Sequence, residues 1–68
     1  MTAIAKVKQT LATLKGAEAT LRTYSLQERD EDAKTAFNTA LEEISKVKID
    51  LEKRVGTMEF EEPQYKGN

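Results

Sequence analysis

Cysteine, histidine and tryptophan are missing from the 68 residues, and proline occurs once, at Pro63. Without cysteine there is no disulfide, no thiolate metal site and no thiol nucleophile. Without histidine the commonest general base and the commonest metal ligand are gone. A charge excess is missing as well, since 11 Lys and Arg stand against 12 Asp and Glu. Nucleic-acid binders usually carry a basic excess, so no nucleic-acid partner is expected. No apolar run approaches the ~20 residues of a membrane span. The charged, amphipathic start Met1-Thr2-Ala3-Ile4-Ala5-Lys6 lacks a signal-peptide core. These gaps together predict a soluble chain that stays where it is synthesised.

Chemical motifs are equally scarce. Ser25 and Ser45 have no nucleophile motif around them, and no Gly-rich phosphate loop occurs. Glu42 and Glu43 lack the Glu-x-x-His partner of a di-iron bundle. Asp30-Glu31-Asp32 lacks the glycine and closing glutamate of a calcium loop. The expectation is no catalytic residue, no metal, no cofactor and no enzyme.

What the chain does contain is a strong helical pattern. Ile4, Val7, Leu11, Leu14 and Leu21 recur at alternating three- and four-residue steps. That spacing puts them on one stripe of an α-helix running over about 3–26. Glu18 is the one stripe position that is not apolar. An unpaired buried carboxylate is costly, so Glu18 is expected to lean outward and pair with Arg22 or Lys15 on its own helix. Its other reading is a polar device that sets register. Ala5, Ala12, Ala19 and Leu26 form a second row at seven-residue spacing, as do Ala3, Thr10, Ala17 and Tyr24. Gly16 lies off the stripe, either as a tolerated surface glycine or as a point of close helix approach.

A short polar connection, Gln27 to Asp32, precedes the second helix, expected over about 31–62. Asp30 is a good N-cap with Glu31 and Asp32 in the first turn. Ser25 to Glu28 also matches a capping box. The second stripe comprises Ala33, Phe37, Ala40, Ile44, Val47 and Leu51, flanked by Ala36, Leu41 and Val55. Short connections join antiparallel neighbours. Folding back at Glu28–Arg29 pairs Leu14 with Leu41 and Ile44, Leu11 with Val47, and Val7 with Leu51. Phe37 reads as core filler. Helix 2 is expected to pass Gly56, with or without a bend, because Met58 continues its spacing, and to stop before Pro63. The tail 63–68 carries no core signal; Tyr65 makes it either a loose end or a docking peptide.

The fold class expected is therefore all-α, an antiparallel helical hairpin. A chain of this length buries only about 60% of its unfolded surface and needs help to be stable. With disulfides and metals excluded, self-association into a four-helix bundle or larger assembly remains. The stripe residues Ile4, Val7, Leu11, Leu14, Leu21, Phe37, Leu41, Ile44, Val47 and Leu51 are the expected self-association set. A basic row, Lys8, Lys15, Arg22 and Arg29, reads as a solvated flank or as a docking row for acids elsewhere. In the register above it meets no acid inside the hairpin, so Lys8, Lys15 and Arg22, with Tyr65, are the partner-docking candidates. Glu43 and Asp50, on the opposite flank, likewise lack a partner in that register.

The string Val7-Lys8-Gln9-Thr10-Leu11-Ala12-Thr13-Leu14-Lys15-Gly16-Ala17 and the ending Glu61-Glu62-Pro63-Gln64-Tyr65-Lys66-Gly67 resemble the small proteins grouped as domain of unknown function 1657. The resemblance includes Leu51-Glu52 before Arg54 and departs at Lys53, where that pattern has proline, and at Gly56. It implies endospore-forming Firmicutes, genes near those for spore-membrane channel components, and a cytoplasmic or spore-interior location. No catalytic residue comes with it. The expected function is a non-enzymatic, self-associating structural or interaction protein tied to sporulation. The alternative is an adaptor docking on a spore-membrane channel protein, and a spore DNA-binding protein ranks behind both.

Overall fold

In the computed structural model, which describes residues 2–61, two helices pack antiparallel against each other as a hairpin. Helix α1 spans Ala3–Gln27 and helix α2 spans Glu31–Glu61. The tail 63–68, including Tyr65, lies outside the described residues.

Local chemistry sets the ends. Thr2 sits in extended backbone, and its Oγ1 accepts from the Ala5 amide at 3.2 Å, capping α1. Asp30 does the same for α2, its Oδ2 accepting from the Ala33 amide at 2.8 Å. Glu31 and Asp32 follow in the first turn, where carboxylates meet the positive end of the helix dipole. Between the helices, Glu28 turns extended and its Oε1 accepts from the amides of Arg29 and Asp30, both at 3.0 Å. Ser25 and Glu28 form no capping box: α1 runs past Ser25, whose hydroxyl turns inward to α2.

Helix α2 continues unbroken through Gly56. A methyl group added at Gly16 or at Gly56 would meet nothing within 4 Å. Neither glycine marks a close helix approach in the hairpin.

The packing departs from the sequence-based register in two ways. Val7 was expected opposite Leu51, but it shares a depression with Lys53, Arg54, Thr57 and Met58, further along α2. The reason is the direction of side chains, which lean toward the N-terminus of their helix. In an antiparallel pair α1 side chains lean away from the connection and α2 side chains lean toward it. Contacts therefore join residues further along α2 than folding at the connection suggests. The second departure is rotational. Val47 was expected on the inner stripe and Val55 on its flank. Val47 is 48% exposed, while Val55 is 8% exposed. Helix α2 turns the column Leu41, Lys48, Val55 toward α1.

Ile4 and Val55 are the buried apolar side chains among the described residues. Val7, Leu11, Leu14, Leu21, Phe37, Leu41, Ile44 and Leu51 are half-buried. Tyr24 packs on Phe37 with ring centroids 5.9 Å apart and planes tilted by 51°, a geometry favoured by ring quadrupoles. Truncating Leu14, on the inner stripe, is expected to cost about 2 kcal/mol or more. Leu26→Ala, at a side chain 79% exposed, should cost below about 0.5 kcal/mol. Urea denaturation of the two variants checks the contrast; equal losses would place the core elsewhere.

Candidate functional site: two polar layers and two unlike faces

Ile4, Leu11, Glu18 and Ser25 stand at seven-residue spacing on α1, so the last two bring polar groups into the apolar stripe. Each finds its partner on α2. The Lys48 ammonium donates to both Glu18 oxygens, at 2.9 and 3.1 Å. Arg22 stands behind the same carboxylate at 3.8 Å. The Glu18 side chain is only 14% exposed. Ser25 is buried and its Oγ donates to Asn38 Oδ1 at 2.7 Å.

Sequence reasoning expected Glu18 to be satisfied within α1, by Arg22 or Lys15. Arg22 does contribute, but the closest partner is Lys48 from the other helix. The signal was present: Lys48 occupies the same seven-residue column as Leu41 and Val55. A lysine in an apolar column opposite a glutamate in an apolar stripe is a matched pair. Its pull explains the rotation of α2. Leaving a half-buried carboxylate unpaired costs more than leaving Val47 half wet.

The hydrogen bond from Lys48 holds the Glu18 carboxyl below the ordinary carboxylate range. Burial opposes it, and the positive charges of Lys48, Arg22 and Lys15 add to it. A depressed folded-state pKa contributes stability that is present above the unfolded value, about 4.3 for Glu. That contribution is lost as pH falls through the lower folded value.

The basic row is not without acids, as the sequence register had it. Lys8 reaches Glu59 at 4.0 Å across the hairpin, and Arg22 serves Glu18. On α2, Glu43 pairs with Lys46 at 3.3 Å and Asp50 with Arg54 at 2.9 Å, each within the helix. Lys8, Arg22, Glu43 and Asp50, expected to seek partners in a second copy, thus have partners within this one.

The two flanks of the hairpin differ. On one side α1 presents Lys8, Lys15 and Arg22, and α2 presents Glu52 and Glu59. On the other side the columns are Thr10, Ala17 and Tyr24 on α1 and Ala33, Ala40 and Val47 on α2. The Lys8–Glu59 and Tyr24–Phe37 contacts mark the two sides. An open depression of about 520 Å³ lies where Val7 meets Lys53, Arg54, Thr57 and Met58. Its rim cation Arg54 is tied to Asp50, and the Thr57 hydroxyl donates to the Lys53 carbonyl at 3.1 Å. Among the described residues no cluster of acids, His or Cys is placed to hold a metal ion, and no helix is long and apolar enough to cross a membrane.

The sequence profile described as protein of unknown function (DUF1657) matches residues 7–55, well over half of the chain. The protein belongs to the DUF1657 family. The matched span of this DUF1657 chain takes in the connection and both polar layers, Glu18 with Lys48 and Ser25 with Asn38. No curated protein and no solved structure matches it.

Acidification tests the central layer. The thermal midpoint of the wild type is expected to fall as pH drops from about 6 to about 3. A Glu18→Gln variant should start lower at neutral pH and lose less over the same range. Melting followed by circular dichroism across that range reads both, and parallel curves would show that Glu18 carries none of the pH dependence.

Proposed function

We propose that this DUF1657 chain is a non-enzymatic structural or interaction protein that works by self-association, two hairpins closing a four-helix bundle or building a larger helical assembly. The observation that carries this reading is the thin core. Two helices bury Ile4 and Val55 and leave the rest of the inner apolar set half wet. Val47 and Tyr24 stand at 48% and 50% exposure beside that set. Covering this surface with a second apolar face gains roughly 25 cal/mol per Å², the driving force a chain of this size lacks alone.

We propose further that this role belongs to the sporulating cell, in the cytoplasm or spore interior; the endospore setting implied by the resemblance supports that reading. Partnering of Lys8 and Arg22 within the hairpin weakens the case for DNA binding, which leans on unneutralised cations. It also weakens docking on a spore-membrane protein through that row.

Sedimentation equilibrium at micromolar concentration is the test. The expected result is a species at a multiple of the 7.7 kDa chain mass, helical and cooperatively melting. A helical, cooperative species at the single chain mass would overturn the proposal.

A further inference from the structure

We infer that the flank carrying Tyr24 and Val47 is the surface through which a second copy of this chain docks, and that the flank carrying Lys8, Lys15 and Arg22 stays in water. This rests on the self-association reading above and adds the face to it.

The argument starts from the asymmetry of the hairpin. Helical spacing brings Thr10, Ala17 and Tyr24 on α1 to the same side as Ala33, Ala40 and Val47 on α2, the side marked by the Tyr24–Phe37 ring contact. None of these six residues is charged, and the α2 column meets its first charge one step further on, at Arg54, which is tied to Asp50. Their small side chains leave Val47 and Tyr24 standing out at 48% and 50% exposure. The edges of Leu14, Leu21, Ile44 and Leu51 lie half-buried between the two columns. Burial of the one polar side chain among the small ones raises no orphan donor, because the Thr10 hydroxyl already donates to the Lys6 carbonyl at 2.9 Å. The neighbouring Thr13 and Thr20 hydroxyls are likewise committed to Gln9 and Gly16 at 3.2 and 3.1 Å.

Charge and size choose the occupant. The charges that border this side on α2 are neutralised within the helix, Asp50 by Arg54 and Glu43 by Lys46. An uncharged centre with a self-paired rim fits a partner of the same make and offers nothing to a strongly acidic or basic one. The molecule measures 48 × 16 × 14 Å. A broad side of those dimensions is close to the ~800 Å² per partner of a standard stable interface. Two hairpins laid face to face there place four helices around one apolar centre and complete the half-covered stripes of both.

The opposite flank serves as the internal control. Helical spacing sets Ile49 away from the Val47 column, one turn before Glu52, and it is 48% exposed, the same as Val47. A glutamate at either position replaces a β-branched apolar side chain of the same fractional exposure, but only the one at Val47 puts a carboxylate into the proposed interface. Sedimentation equilibrium of the full chain should show Val47→Glu associating at least about tenfold more weakly than wild type, with Ile49→Glu close to wild type. If wild type itself runs as one chain, the self-association reading fails and takes this inference with it. If wild type associates and Ile49→Glu weakens it as much as Val47→Glu does, the face is wrong while self-association stands.

Should Val47→Glu lose its helical signal, thiol accessibility decides. The chain has no cysteine, so Ala17→Cys and Ala19→Cys each carry a single thiol, on an exposed residue in the hairpin. The rate of reaction with a disulfide reagent is expected to slow with rising protein concentration for Ala17→Cys and not for Ala19→Cys. Equal slowing, or slowing at Ala19 alone, overturns the assignment.

Discussion

Two helices cannot enclose a core. Each touches the other along one stripe, and the sides of that stripe face water whatever the side chains are. This constraint governs the hairpin. It leaves Ile4 fully covered and Val55 nearly so among the described residues and makes any addition to the buried area come from another surface. Disulfides and thiolate metal sites, the usual reinforcements of small domains, are unavailable to a chain without cysteine.

Within that limit the polar layers carry the specificity. An all-apolar stripe lets antiparallel helices slide by a turn and still match leucine to leucine. Glu18 against Lys48 and Ser25 against Asn38 remove that freedom, because any slip strands a half-buried carboxylate or a buried hydroxyl. Polar residues in helical interfaces are best attested in this register-setting role. Here the two layers lie on both sides of Leu21, so together they fix height as well as rotation. The Lys8–Glu59 contact adds a third cross-helix tie near the open end.

The same polar ties create the two unlike sides. Turning α2 to bring Lys48 to Glu18 moves Val47 outward and Val55 inward. One flank carries the long charged side chains of α1, set there by the seven-residue spacing of Lys8, Lys15 and Arg22. The other is left with alanines, threonines, Tyr24 and Val47. Satisfaction of a single carboxylate thus shapes the surface on which the proposed assembly depends.

The sequence by itself determined the two helices and their antiparallel pairing. Stripe periodicity, the Asp30 cap and a short polar connection are local signals, and each acts through neighbours within a few residues. The DUF1657 membership was legible in the same way from the string over 7–17 in α1, which lies inside the matched span 7–55, whereas the string over 61–67 lies beyond it. Which residues face each other was decided only in the tertiary structure. Height along the helices depends on the lean of side chains from both partners. Rotation depends on a carboxylate and an ammonium 30 residues apart in the chain. Reading α1 alone could satisfy Glu18 with Arg22. Only the presence of α2 at packing distance let Lys48 reach both oxygens, because a contact between two surfaces is a property of neither one.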